Sequence, residues 1–326
     1  MRIISPIVRG SGAIIVHRAL DNAFPEYHLS PYSARWEYFP FMLPFVTRND
    51  ADILHCTPEC AAFVSSRNKP LVVTFHNYVL DSFMRQYSTP AQRLHYRTDL
   101  LWSYRKAVRK ASVITAVSEA TADLVRRHLS PSLTIQVIRN GVDTNVFQPE
   151  SSQSLRKTIR VLFSGNPCRR KGADLLPEIS RMLDPGIAIC VTGGLRGTSV
   201  SYTRDNIEII EKVAYSKMPD LYRSADILLM PAVREGLSLA VLEAMASGLP
   251  VVATNCSSLP EQIDHGEGGF LCRLGDVEDF ANRINQLAGS LELRQEMGRY
   301  NRDKVLENFT LGLMLDDYQK LFNQFR

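Results

Sequence analysis

Short apolar runs recur along the whole chain, and polar or amphipathic stretches separate them. Residues 1–8, Ala51–His55, Leu71–Phe75, Ser112–Val117 and Thr134–Ile138 read as buried strands in the first half. Ile159–Phe163, Ile187–Val191, Ile207–Ile210, Ile227–Pro231 and Pro250–Thr254 read the same way in the second. An apolar run bounded by turn residues is the pattern of a strand covered on both faces. Helical spacing lies between the runs. It starts at Ala13, spans Arg93–Lys110, runs from Ser118 to His128, restarts at Ala173, passes through Tyr222, follows Ser238, and fills Val277–Arg326. Strands alternating with helices predict an α/β protein with parallel sheets. The polar segment Pro149–Ser154 reads as a linker, after which the pattern restarts, so two domains are expected.

One stretch carries more chemistry than the rest: Arg234-Glu-Gly-Leu-Ser-Leu-Ala-Val-Leu-Glu-Ala-Met-Ala-Ser-Gly-Leu-Pro250. Ser238 suits a helix N-cap, Leu239, Leu242 and Met245 recur at helical spacing, and Gly248 with Pro250 stops the helix. The amides of Ser238, Leu239 and Ala240 then open a helix without intrahelical partners, which makes an anion site. Glu235 falls at the carboxyl end of a strand, where open α/β sheets bind ligands. Glu243 falls further along the helix. A ligand spanning both carboxylates carries hydroxyls at two ends and phosphate between. Taken alone, the spacing fits two solvated glutamates equally well.

Composition narrows the classes. Charged residues are 22% and the net charge is +4, which suits anionic ligands but is too weak to argue for nucleic acid. Cys56, Cys60, Cys168, Cys190, Cys256 and Cys272 are scattered, which favours buried thiols in a reducing compartment over disulfides or zinc. No apolar run is long enough to span a bilayer, the start of the chain reads as a strand rather than a signal peptide, and a cytoplasmic protein is expected.

Other loops follow strands in the same way. Gly10-Ser-Gly12 follows the first strand and suits either a tight turn or a close ligand approach. His76 follows Leu71–Phe75 and is either a cleft residue or a structural histidine, whereas His55 reads as structural. Arg169, Arg170 and Lys171 lie in the loop Ser164–Gly172 and suit a diphosphate or plain solvation. The segment Trp36–Phe45 is aromatic and proline-broken, and Arg93–Lys110 is basic and amphipathic. Each is either an ordinary surface or part of a face that meets an anionic membrane.

Together the motifs resemble the retaining glycosyltransferases of family 4, which have the GT-B fold. Glu235 and Glu243 with the following Ala-Met-Ala-Ser-Gly-Leu-Pro-Val-Val match the family's glutamate signature. Asn140-Gly-Val-Asp143 with Phe147 and Pro149, Gly165 with Lys171-Gly172, and Thr74-Phe-His76 match its other motifs. The resemblance covers essentially the whole chain, densely over 111–272 and loosely over 1–50. It implies two Rossmann-like doubly wound domains facing a cleft. These are an acceptor domain over 1–150, a donor domain over 151–308, and a C-terminal helix over 309–326 returning to the first domain.

It also implies roles. Glu235, His76 and Lys171 form the catalytic set. Gly12, Arg170, Lys171, Val213, Gly236, Leu237, Ser238, Leu239 and Glu243 bind the donor, with Glu243 on the ribose, Glu235 on the donor sugar, and Val213, Tyr215 and Met218 along the base. The donor is a nucleotide-sugar, a UDP-sugar first, with GDP- or ADP-sugars as the other candidates. No further cofactor and no metal are expected, and the chain offers no Asp-x-Asp metal motif. The acceptor is a glycan or lipid-linked glycan, and peripheral contact with an anionic membrane at its inner face is expected. The family's arginine after the phosphate-loop glycine is replaced by Asn166, so Arg169 or Arg170 must serve instead. Positioned cations would stabilise the leaving diphosphate, and front-face attack would leave Glu235 a positioning role. The alternative reading is a nucleotide-sugar epimerase of the same fold. A dehydrogenase is disfavoured because no strand–helix turn carries the dinucleotide glycine fingerprint.

Overall fold

The computed structural model describes residues 1–37, 39–47, 50–64, 69–150, 158–193, 206–211 and 213–326. The chain divides into two compact units: Met1–Asn140 with Met314–Arg326, and Gly141–Leu313. Each is a Rossmann-like α/β domain built on a six-stranded parallel sheet.

The first unit contains β1 (Ile3–Val8), β2 (Tyr27–Tyr32), β3 (Ile53–Cys56), β4 (Leu71–Phe75), β5 (Val113–Ala116) and β6 (Ile135–Val137), in the order β2-β1-β3-β4-β5-β6. Every residue of β1, β3 and β4 is buried, including the polar Ser5, His55 and Thr74. The core gathers residues such as Ile4, Leu54, Val73, Phe75, Tyr104 and Ile114 from these strands and the helices over them. The expected elements missed β2. It is an edge strand with Ser30 and Pro31 in its middle, and proline is tolerated at an edge because the outer N–H has no ladder partner to lose.

The basic stretch is helical but not uniform. Thr89 and Gln92 form a capping box for Pro90–His95, a π-helical turn covers Tyr96–Leu100, and an α-helix covers Leu101–Lys110. Among its described residues the aromatic stretch meets a 3-10 turn at Ala34–Glu37, another at Pro40–Met42 and a short helix at Leu43–Val46, as its prolines dictate. The helix Leu311–Asn323 closes the chain, and its last turns belong to the first unit. Phe322 packs on Tyr27 and His55 with ring centroids 5.9 and 5.7 Å apart.

The second unit contains β7 (Ile159–Phe163), β8 (Ile187–Thr192), β9 (Ile207–Ile210), β10 (Ile227–Met230), β11 (Val251–Thr254) and β12 (Gly269–Cys272), in the order β12-β11-β10-β7-β8-β9. Numbered within the unit, this is the dinucleotide-fold order 3-2-1-4-5-6 reversed, so the strand order changes direction between β7 and β10. β12 was not among the expected strands, because the region before it reads as a polar turn.

The division falls at Asn140/Gly141 rather than at residue 150, and Ser151–Ser154 of the expected linker lie outside the described residues. Residues 141–149 are held within the second unit. The Val142 amide donates to the Phe309 carbonyl and the Leu311 amide to the Val142 carbonyl, each at 2.9 Å. The Arg302 guanidinium donates to the carbonyls of Phe147 at 2.7 Å, Ala246 at 2.8 Å and Thr144 at 3.0 Å. Two smaller expectations also change. The helix expected from Ala173 begins at Leu176, because the loop first makes a 3-10 turn over Arg169–Lys171. Cys168 is exposed in that loop, whereas Cys56, Cys60, Cys190 and Cys272 are buried.

Candidate functional site

The loops after β7 and β10 flank the point where the second sheet changes direction, the place where such sheets bind ligands. The first loop is shaped by glycine. Gly172 has φ +75°, and a Cβ there would lie 2.2 Å from the Pro231 carbonyl oxygen, so only glycine lets this loop lie against the next. The Val233 amide donates to the Arg170 carbonyl at 2.9 Å, which ties the two loops together. Lys171 then folds back over Gly165, whose missing Cβ would sit 3.9 Å from the lysine Nζ.

These contacts gather the expected cations on Glu235. Lys171 Nζ lies 2.9 Å and Arg170 Nη1 3.1 Å from Glu235 Oε1. Arg170 also donates to the Arg234 carbonyl at 2.7 Å. Arg169 instead lies 3.5 Å from Asp174 at the surface, so Arg170 is the arginine that joins the site. From behind, Ser257 and Ser258 donate to the Glu235 carbonyl at 2.5 and 3.1 Å. Ser257 does so from φ +55°, a strained conformation for a residue with a side chain. Burial works to raise the Glu235 carboxyl pKa, but Lys171 and Arg170 outweigh it and hold the group below its usual range. Glu235 is therefore a buried, ionised carboxylate neutralised by two cations.

Glu243 is the opposite case. It lies in the helix Leu239–Ala246 and is 4% exposed. No cation faces it. Tyr215 donates to its Oε1 at 2.9 Å and Tyr222 to its Oε2 at 2.8 Å. Burial pushes its pKa up to about 7, with the two hydroxyls working the other way. The back of this helix is fixed by glycine contact: a Cβ on Gly298, in the helix Leu291–Asn308, would strike the Gly248 carbonyl at 2.1 Å. Tyr222 also lies 3.0 Å from the Ser164 hydroxyl, which links Glu243 to the loop after β7.

The helix start differs from expectation in one respect. Ser238 occupies the N-cap position, but its side chain makes no cap bond. Gln262 takes over instead, accepting from the Ser238 amide at 2.9 Å and donating to the Ser238 carbonyl at 2.9 Å. The Ser238 amide is thus committed within the protein and is not an open anion donor. Gly236, Leu237 and Ser238 are buried, whereas Leu239 is half-buried at the head of the helix. Val213 and Met218 are half-buried, and Tyr215 is 43% exposed beside Glu243.

In the first unit, Gly12 is exposed at the head of the helix Ala13–Ala23 with helical φ and ψ. A Cβ there would meet nothing within 4 Å, so the protein's own packing places no demand on this glycine. His76 follows β4 and is half-buried, with its Nε2 2.9 Å from His17 Nε2. Burial lowers its pKa to about 4.

Several contributors were not anticipated. Tyr222 was read only as part of a helix, although Tyr215 and Tyr222 are the two tyrosines just before β10. Gln262 carries no sequence signal for its role, since a lone glutamine far along the chain gives no spacing to read. His17 lies one turn into the helix after Gly12, a position that could have drawn attention.

Two family models match the chain: Glycosyltransferase Family 4 over residues 9–146 and Glycosyl transferases group 1 over residues 158–290. The D-inositol 3-phosphate glycosyltransferase of Paenarthrobacter aurescens is 30% identical over 283 residues, covering 77% of this chain and 67% of that protein. The N-acetyl-alpha-D-glucosaminyl L-malate synthase of Bacillus anthracis is 25% identical over 232 residues, covering 67% of this chain and 61% of that protein. The chain therefore spans less than two thirds of the latter's length. Among solved structures, Anabaena HepE in complex with UDP and glucose has a TM-score of 0.81 at 16% identity, with 99% of each chain covered. At that identity the likeness speaks to fold alone.

Proposed function

The chain belongs to the family 4 glycosyltransferases, with Rossmann-like domains of the GT-B class, and from that premise we propose that it transfers a sugar from a nucleoside-diphosphate sugar to a glycan or lipid-linked glycan. The observation that carries this reading is the cluster at the switch point of the second sheet. One ionised carboxylate shares its Oε1 with Lys171 and Arg170, and a second carboxylate is held by two tyrosines one helix away. In this reading Lys171 and Arg170 take the leaving diphosphate, where preorganised cations stabilise developing negative charge without metal. Glu243 accepts the ribose hydroxyls, with Gly236, Leu237 and Leu239 beside the sugar and phosphate. Val213, Tyr215 and Met218 line the base. Gly12 is assigned to the donor phosphate and His76 to the donor sugar. UDP is the first candidate nucleotide.

Glu235 is assigned to positioning. Two cations neutralise the carboxylate, which makes it a poor nucleophile but a good acceptor for a sugar hydroxyl through Oε2. This supports front-face transfer with retention, in which the departing phosphate oxygen takes the acceptor proton.

We also assign the protein to the inner face of an anionic membrane. No helix among the described residues is long and apolar enough to cross a membrane. Phe45 is 80%, Leu94 66% and Trp102 50% exposed, and Lys106 stacks over Trp102 at 4.5 Å. Exposed apolar groups interleaved with basic ones suit the interfacial region of such a surface.

The test is a panel of UDP-, GDP- and ADP-sugars read by thermal shift, followed by NMR of the anomeric configuration of donor and product. One nucleotide class is expected to raise the melting temperature, and product forms with retention only when acceptor is present. A protein stabilised by no nucleotide-sugar, or one that epimerises donor without acceptor, contradicts the reading.

A further inference from the structure

The first unit contains a buried polar chain that the proposed chemistry leaves unused. Thr115 and Thr74 hydroxyls are 2.6 Å apart, and Thr74 Oγ1 lies 2.7 Å from His55 Nε2. His55 Nδ1 is 2.8 Å from the Tyr27 hydroxyl, which is 2.8 Å from His17 Nδ1. Ser5 Oγ also reaches His17 Nδ1 at 2.7 Å, and His17 Nε2 meets His76 Nε2 at 2.9 Å. The chain draws one residue or more from each of five strands, from the first helix, and ends at the loop after β4. The His17 and His55 rings stack with centroids 4.5 Å apart, and Tyr318 and Phe322 of the C-terminal helix cover His55.

Every member except His76 is buried. The chain therefore has one end toward the surface and no second exit, which makes it unfit to conduct protons from one side to the other. Its hydrogen accounting gives it a different property. A neutral imidazole donates from one nitrogen and accepts at the other. If Tyr27 donates to His55 Nδ1 and Ser5 Oγ accepts alongside Tyr27, His17 donates from Nδ1, and its bare Nε2 accepts from His76 Nε2. If Tyr27 donates to His17 Nδ1, His17 Nε2 donates to His76, whose Nδ1 then carries the proton. The orientations of the Tyr27 and Ser5 hydroxyls thus set which His76 nitrogen is protonated. Burial keeps all three imidazoles neutral, the condition under which the accounting holds. The other ionisable groups facing the chain are Asp21 on the first helix, Cys56 on β3 and Tyr318 on the last helix.

We propose that His17, Tyr27 and His55 are positioning residues that fix the ring plane and the tautomer of His76, so that its Nδ1 meets substrate as one defined donor or acceptor. This rests on the reading of His76 as a donor-sugar contact. A misassigned tautomer would present a lone pair where the sugar needs a proton, or the reverse.

The experiment is nitrogen NMR on the full chain with labelled histidine, comparing the protein with Tyr27→Phe and His17→Phe. In the unsubstituted protein His76 is expected to show one bare and one protonated ring nitrogen, unchanged between about pH 6 and 8. Tyr27→Phe removes only a hydroxyl and keeps the ring packed, so it serves even if His17→Phe does not fold. It is expected to move the His76 nitrogens toward tautomer-averaged values, and so is His17→Phe. With donor and acceptor in hand, Tyr27→Phe should lower kcat about tenfold with donor KM within about twofold, as loss of an outer partner does elsewhere. Unchanged His76 nitrogens in Tyr27→Phe, or an unchanged kcat despite shifted nitrogens, overturn the proposal. If no nucleotide-sugar binds at all, the functional reading fails, while the NMR comparison still decides whether the chain sets the His76 tautomer.

Discussion

The two units place polar side chains at the ends of buried parallel strands in contrasting ways. At the head of the second sheet the groups are carboxylates and cations: Lys171 and Arg170 converge on Glu235, while among the described residues Glu243 is held by Tyr215 and Tyr222 instead. In the first unit the array behind His76 is neutral, with histidines, tyrosine, serine and threonines passing hydrogen bonds along a line. The difference fits what each is proposed to do. A leaving diphosphate carries charge that only charge or aligned dipoles can balance, whereas a contact to sugar hydroxyls needs direction. The two glutamates repeat the contrast within one loop and helix. Both are buried, yet cations pull the pKa of Glu235 down and burial pushes that of Glu243 up to about 7.

The comparison breaks most visibly where a charge is left alone. Lys171→Met combined with Arg170→Met leaves Glu235 without a cation and is expected to cost about 3 kcal/mol in denaturant unfolding, with Glu235→Gln in the same chain recovering much of it. Tyr27→Phe in the neutral array should cost only about 1 kcal/mol by the same measurement. Equal costs would erase the distinction between the two regions.

Next comes the pH dependence of Glu243. Its folded pKa is raised, so the folded state binds more protons than the unfolded chain from about pH 4.5 up to about 7. Stability contributed by the protonated carboxyl is therefore full below that window and is lost as pH rises through it, by about 3 kcal/mol. Glu243→Gln should flatten this part of the profile. Glu235 has the reverse sign: its contribution is present at neutral pH and is lost only as pH falls below the ordinary carboxyl range. Melting curves at stepped pH on both glutamine variants separate the two.

The glycines give a smaller and sharper contrast. Gly172→Ala combines φ +75° with contact on the Pro231 carbonyl and should cost at least about 2 kcal/mol. Gly12→Ala meets nothing in the protein and should leave unfolding unchanged to within about 0.5 kcal/mol. Its effect, if a ligand does approach there, appears only in donor affinity, measured by titration calorimetry.

Much of this was legible in the sequence, for physical reasons that differ between parts. The parallel strands announce themselves because burial on both faces demands largely apolar runs such as Leu71–Phe75 and Ile227–Met230. β2 did not, since Ser30 and Pro31 interrupt it and an edge tolerates both. Glu235, Lys171 and Arg170 stand in loops whose glycines mark the turns, so their convergence could be expected from order along the chain. Which arginine turns inward was decided by the 3-10 turn, which sends Arg169 to Asp174 and Arg170 to Glu235. The claim of Gln262 on the Ser238 amide and the chain of hydrogen bonds behind His76 join residues far apart in sequence, and no local pattern records such pairings.

The most direct test of the central claim, that the charged cluster of the second unit binds a nucleoside diphosphate, is calorimetric titration of that nucleotide. The one giving the largest thermal shift is titrated into the unsubstituted chain, Lys171→Met and Glu243→Ala. The account expects binding to the first and a loss of about a hundredfold, near 2.7 kcal/mol, in each of the others. Undiminished affinity in both variants would contradict it.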